Sequence, residues 1–235
     1  MTSRLFALAG VFLLAGCASL PTGPDPLPSF IPETSASAAP ASDSVGGFSA
    51  LEREALRVRV RTCTEYATGT AFAIDEHHAI TNRHVAAGAT TIELTSYDGK
   101  TYTGSAMVLS RTADLALITI KDTFPNIATF ADAEPAPGDV LTIAGYPRGE
   151  ALAVTSGAYI ATVPDDLGAN DDDVYQIAAE SHHGNSGSPV GADNGDVVGV
   201  LYASDDVHTS YSVALPTVQD FLADPGKAKK IIENC

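Results

Sequence analysis

From about residue 55 to residue 214 the chain keeps one texture. Apolar runs of three to ten residues recur, cut by Gly, Asp, Asn and Pro. Runs this short and this regularly punctuated read as β-strands. They fall at residues 57–63, 69–74, 79–81, 91–94, 105–110 and 115–120, then at 139–145, 151–160, 174–178, 197–202 and 211–214. Many short strands at this spacing predict an all-β barrel or sandwich. Helical periodicity is confined to the edges. Residues 51–58 are expected to form a short helix leading into the folded unit. Residues 217–222, after Pro216, and 227–232 are expected to form short helices at the C-terminal end. No internal repeat or heptad pattern is present.

The length of 235 residues and an apolar content of 45% suffice for a packed core. Acidic residues number 29 against 13 basic ones, for a net charge of -16. Nucleic-acid binding relies on Lys and Arg against phosphates, so no nucleic-acid partner is expected.

The N-terminus reads differently. Arg4 precedes an apolar run from Leu5 to Ala15, about half the ~20 residues of a membrane-spanning helix. This is the form of a signal peptide, residues 1–16. The following Leu14-Ala15-Gly16-Cys17 resembles the lipobox of bacterial lipoproteins. That resemblance implies a diacylglyceryl thioether on Cys17 and membrane anchoring by acyl chains alone. Ala18, rather than aspartate, follows the cysteine, which implies an outer-membrane anchor facing the periplasm of the cell envelope. Residues 17–49, rich in Pro, Ser and Ala, read as the lipidated cysteine and a disordered tether. The folded domain is expected over residues 50–235.

Three local patterns carry chemistry. They are Ala79-Ile-Thr-Asn-Arg-His84, Arg111-Thr-Ala-Asp114-Leu-Ala-Leu-Ile, and His183-Gly184-Asn185-Ser186-Gly187-Ser188-Pro189. A serine hydroxyl becomes a useful nucleophile only when a base takes its proton. A histidine can be that base, and a carboxylate can fix its tautomer. Alone, each motif has an ordinary reading: a surface histidine, a turn aspartate, a glycine turn. Together, over roughly residues 60–222, they resemble the trypsin-like (chymotrypsin-fold) serine peptidases. The bacterial HtrA-type and glutamyl-endopeptidase subgroups are the most similar.

The resemblance implies two packed six-stranded β-barrels with a short C-terminal helix. It implies a serine endopeptidase acting on protein or peptide substrates through an acyl-enzyme. His84, Asp114 and Ser186 would form the triad, and the N–H groups of Gly184 and Ser186 the oxyanion hole. The family's specificity pocket maps to Glu180, Leu201 and Tyr202. Glu180 would favour a basic residue before the scissile bond, and Leu201 a small or aliphatic one. The animal digestive enzymes carry Asp where this chain has Asn185, so activation through that ion pair is not expected. The chain ends soon after these motifs, so no PDZ module of the HtrA kind is expected.

The rival reading is a non-catalytic binding module on the same scaffold, but such modules usually lack a triad residue. An α/β-hydrolase esterase would show Gly-x-Ser-x-Gly, whereas here the order is Gly184-Asn-Ser-Gly-Ser. No metal or other cofactor is expected. The acidic run from Asp165 to Asp173 reads as a solvated loop. The pairs His77-His78 and His182-His183 are neighbours on the chain and would point to opposite faces of a strand. Of three cysteines, Cys17 is assigned to acylation. Cys63, expected at the end of the first strand, and Cys235 are then available for one disulfide in an oxidising periplasm.

Overall fold

The computed structural model describes residues 45–205, 207–231 and 235. The signal peptide, Cys17 and the tether up to residue 44 lie outside the described residues.

A turn over residues 45–48 leads into α1 (Ala50–Glu54). Ser49 and Glu52 start the helix by a reciprocal capping box. The expected helix over 51–58 stops early, at Glu54. From Leu56 the pattern is Leu-Arg-Val-Arg-Val-Arg, a period of two, and strand β1 (Ala55–Arg61) takes over. Leu56, Val58 and Val60 turn inward, while Arg59 and Arg61 face solvent.

The first barrel continues with β2 (Tyr66–Ala73), β3 (His78–Thr81), β4 (Thr91–Ser96), β5 (Thr101–Leu109) and β6 (Ala116–Ile120). A single helical turn, α2 (Arg83–Ala86), follows β3. The sheet runs β5-β4-β1-β2-β3-β6, and a further β5–β6 pairing closes it. Its interior holds Ile92, Leu94, Tyr102 and Ile118.

The second barrel comprises β7 (Val140–Gly145), β8 (Ala153–Val163), β9 (Val174–Ala178), β10 (Pro189–Gly191), β11 (Val197–Ser204) and β12 (Ser210–Ala214). It closes in the order β10-β11-β12-β9-β8-β7. Between the barrels lie Phe72, Leu115, Tyr146, Val200 and Tyr202. The two six-stranded barrels are the architecture implied by the resemblance.

The short C-terminal helix is α3 (Leu215–Ala223). The second expected helix, over 227–232, is instead a two-residue strand, β13 (Lys229–Lys230), paired with Met107 and Ala106 of β5. Pro225 and Gly226, the latter at φ +78°, end the helical path. Ile231 then donates its N–H to Ser105 O at 3.1 Å and buries its side chain against the first barrel. Cys63 stands just past β1 in a turn capped by Thr62. Cys63 and Cys235 form a disulfide, with Cα atoms 5.5 Å apart.

Candidate active site

His84 sits in α2, directly after β3, and Asp114 ends the loop before β6. Asp114 is buried, at 3% exposure. Its Oδ1 accepts the His84 backbone N–H at 2.9 Å, and its Oδ2 lies 2.5 Å from His84 Nδ1. A carboxylate oxygen only accepts, so Nδ1 carries the hydrogen and Nε2 is left as the basic nitrogen. Half of the imidazole remains exposed (51%). Asn82 Nδ2 donates to Asp114 O at 2.8 Å, and Asn170 Oδ1 accepts from Asp114 N at 2.8 Å. The aspartate is thus held at its carboxylate and at both of its backbone polar groups.

Ser186 lies in the second barrel, on the loop between β9 and β10. The loop closes on itself through Asn185 N–H to His182 O and Ser188 N–H to Asn185 O, both 2.9 Å. Leu201 of β11 grips it twice, accepting from Gly187 N and donating to Ser188 O. Thr70 of β2 holds it from the other barrel. Thr70 N donates to Ser186 O at 2.8 Å, and its Oγ1 donates to Gly184 O at 2.8 Å while accepting from Tyr146 N at 3.0 Å. The adjacent Gly69 has no room for a side chain: a Cβ there would press on Val85 of α2 and on Ser186 O. The structure therefore joins His84 to Asp114 directly and sets the Ser186 carbonyl against the same stretch of β2 that Val85 of α2 packs on. Among the described residues, Ser186 Oγ has no hydrogen-bond partner.

Gly184 takes φ +96°, a region that favours glycine. A Cβ here would also come within 2.5 Å of Tyr146 O and 2.6 Å of Arg148 N. The preceding carbonyl, His183 O, accepts from Arg148 N at 2.5 Å. In a trans peptide the N–H points opposite to the C=O, so the Gly184 N–H is turned away from Arg148. The N–H groups of Asn185, Gly187 and Ser188 are all used within the fold. Those of Gly184 and Ser186 have no acceptor among the described residues. Two unused donors on one tight loop are available to an oxyanion.

The residues mapped to the specificity pocket have three different settings. Glu180 is 58% exposed and pairs with His182 Nε2 at 3.2 Å. It lines a cavity of about 210 Å³ together with His182, Asn185, Ile143 and Thr155. Leu201, at 1% exposure, belongs to the interior of the second barrel. Tyr202 is buried between the barrels, its hydroxyl donating to Asp165 Oδ1 at 2.7 Å.

Asp165 also departs from the solvated-loop expectation. Its Oδ1 accepts from Leu167 N as well as from Tyr202, and its Oδ2 accepts from Ala169 N, Asn170 N and Asn170 Nδ2. These bonds hold its carboxyl below the usual carboxylate range in spite of partial burial. Neither Thr70 nor Asn170 carries any local sign in the sequence; a buried polar strand residue and an acidic loop look ordinary.

Two closed six-stranded barrels, one carrying an aspartate–histidine pair and the other a glycine-flanked serine loop, define the chymotrypsin-like double-barrel class. The chain belongs to the trypsin-like peptidase domain family, whose model matches residues 69–200. Serine protease Rv3671c of Mycobacterium tuberculosis is 30% identical over 179 residues, covering 72% of this chain and 45% of that protein. Its active-form crystal structure superposes with a TM-score of 0.68 at 26% identity, covering 77% of this chain and 84% of the crystallised one. The DegP-like periplasmic serine endoprotease of Chlamydia trachomatis is 35% identical over 135 residues, 56% of this chain and 27% of its own length. The HtrA-type protease AlgW, solved with a tripeptide, gives a TM-score of 0.68 at 25% identity, covering 73% of this chain and 60% of that one. The chain spans less than half the length of the curated relatives it matches.

Proposed function

We propose that the chain is a serine endopeptidase of the cell envelope that cleaves peptide bonds through an acyl-enzyme. The double contact of His84 with Asp114, backbone N–H and Nδ1 to the two carboxylate oxygens, carries this reading. It leaves His84 Nε2 as the base for Ser186 Oγ. In the first step Ser186 Oγ attacks the scissile carbonyl and its proton passes to Nε2. Asp114 stabilises the imidazolium, and the N–H groups of Gly184 and Ser186 receive the oxyanion, each worth ~3–4 kcal/mol in well-studied cases. The imidazolium then protonates the leaving amine, and the acyl group stays on Ser186. Water, deprotonated by Nε2, attacks the ester and releases the new carboxyl end. The Ser186–His84 hydrogen bond forms on substrate binding, as free enzymes often hold these groups loosely.

Glu180 is the exposed acid of this loop and the candidate reader of a basic substrate side chain. Leu201 and Tyr202, the other residues that the resemblance maps to the pocket, are both buried.

Anchoring through acylated Cys17, a tether over 17–49 and a peptidase domain over 50–235 complete the proposal. The Cys63–Cys235 disulfide supports an oxidising compartment. The periplasmic name of the Chlamydia relative points the same way. Ala18 favours the outer membrane.

A fluorophosphonate probe tests the reaction. It is expected to label the wild type and to leave Ser186→Ala unlabelled. A folded wild type that resists the probe contradicts the reading. Labelling of cells with a fatty-acid analogue tests the anchor, which Cys17→Ala should abolish.

A further inference from the structure

The best-connected residue around the His84–Asp114 pair comes from the other barrel. Asn170 sits on the loop between β8 and β9, 8% exposed. Its Oδ1 accepts the Asp114 N–H at 2.8 Å, and its Nδ2 donates to Asp165 Oδ2 at 3.0 Å. Both partners dictate which way the amide faces, since an N–H needs the oxygen and a carboxylate needs the nitrogen. The same Asp165 oxygen accepts the Asn170 backbone N–H at 2.7 Å and that of Ala169 at 2.8 Å. The other Asp165 oxygen takes the Tyr202 hydroxyl at 2.7 Å. Tyr202 follows Leu201, whose backbone grips the Ser186 loop at Gly187 and Ser188. A continuous path therefore runs from that loop through Leu201, Tyr202, Asp165 and Asn170 to Asp114 and His84.

Two more bonds fasten the Asn170 loop to the first barrel. Arg83, itself held by an Nη1 bond to Ser110 O at 3.1 Å within the first barrel, donates from Nη2 to Ala169 O at 3.0 Å. Asp171 N donates to Thr112 O at 2.7 Å. Among the described residues, Asn170 supplies the one hydrogen bond to Asp114 from the second barrel. Ser186 belongs to that barrel, whereas Asp114 and His84 belong to the first. The position of the acid–base pair relative to the nucleophile is set where the barrels are cross-linked.

We infer that Asn170, oriented by Asp165 and through it by Tyr202, is a positioning residue that keeps the Asp114–His84 pair in register with the Ser186 loop. This rests on the triad reading given above. Removing the Asn170 oxygen frees the Asp114 backbone from the second barrel. Asp114 then stabilises the His84 imidazolium less well, and His84 gives up its proton at lower pH.

The test compares wild type, Asn170→Ala and Asp165→Asn in steady-state cleavage of a peptide substrate across pH. For Asn170→Ala, kcat should fall about 10- to 100-fold, the scale of a small misplacement of reacting groups, with KM changed less than about twofold. The acid limb of kcat/KM should move to lower pH. Asp165→Asn should move both in the same direction by less. A purely structural role would lower melting temperature without moving the acid limb. A folded Asn170→Ala protein with wild-type kcat and acid limb overturns the inference. If that variant does not fold, a folded Asp165→Asn protein with both values unchanged overturns it equally. A wild type inert to both probe and peptide instead refutes the triad reading, and the inference falls with it.

Discussion

Thr70, on the first barrel, is bonded to Ser186 on the second: its backbone N–H donates to Ser186 O at 2.8 Å. Its hydroxyl continues the link, donating to Gly184 O and accepting from Tyr146 N. Thr70 is fully buried, and its own carbonyl accepts from Thr81 Oγ1 at 2.6 Å. Thr70→Val keeps the shape and the backbone bond but removes the hydroxyl. Tyr146 N and Gly184 O then lose their partners in a buried place, at about 1–3 kcal/mol. The expected result is a lower melting temperature together with reduced kcat, because Gly184 is no longer held. Thermal unfolding and peptide cleavage measured on one preparation check it. A drop in stability with wild-type kcat would detach Thr70 from the reaction.

Glu54 predicts a pH dependence of stability. It closes α1, is 8% exposed, and leaves Oε2 unpartnered. Burial raises its pKa to about 7; Arg53 opposes the shift and Asp196 adds to it. In the unfolded chain Glu54 ionises near pH 4.5, while in the folded protein it keeps its proton to about pH 7. Folding therefore binds an extra proton between these values, and stability falls as pH rises through that window. Above pH 7 the full penalty, of order 3 kcal/mol, is in place. Glu54→Gln should match wild type near pH 4 and be more stable at pH 8. Denaturant unfolding at the two pH values measures the difference. Equal stability of the two proteins at pH 8 would contradict it.

The Cys63–Cys235 bond links residues 172 apart. Closing so long a loop limits the unfolded chain and contributes about 5 kcal/mol in the chain-entropy account. Cys63→Ser should lower the melting temperature and also free the tail that Ile231 pins to β5. Intact mass of unreduced protein should show no free thiol at either position. Alkylation of both cysteines without reductant would reject the bond.

Glu180, the exposed acid of the serine loop, is the proposed reader of a basic side chain, and it pairs with His182. Cleavage of a peptide library should favour Lys or Arg before the scissile bond. Glu180→Gln should lower kcat/KM for those peptides about tenfold or more, a loss of ~1.4 kcal/mol. Cleavage after Lys and Arg that is unchanged in the variant removes Glu180 from this role.

The strands were legible because a half-buried strand writes its period into the chain, as Leu56-Arg-Val-Arg-Val-Arg does. Pro189–Gly191 was not, since three residues show no period and a proline opens them. The tail strand was hidden for a related reason: Lys229 and Lys230 become a strand only by pairing with β5, far away in sequence. At the site, His84, Asp114 and Ser186 stand in local motifs and could be named from them. Thr70, Asp165 and Asn170 could not. Thr70 reaches Gly184 across 114 positions, and Asn170 reaches Asp114 across 56. Such contacts exist only once the barrels close. Tyr202 shows the reverse case, mapped to a pocket wall by resemblance and found with its hydroxyl on Asp165.

Trapping the acyl-enzyme separates catalysis through Ser186 from every other route. A slowly deacylating ester or peptide substrate is mixed with the protein, quenched in acid, and the intact mass and peptide map are read. One acyl adduct, located on Ser186, is expected to form in wild type and to fail to accumulate in His84→Ala. Peptide turnover that persists in Ser186→Ala, or proceeds with the adduct on another residue, would contradict it.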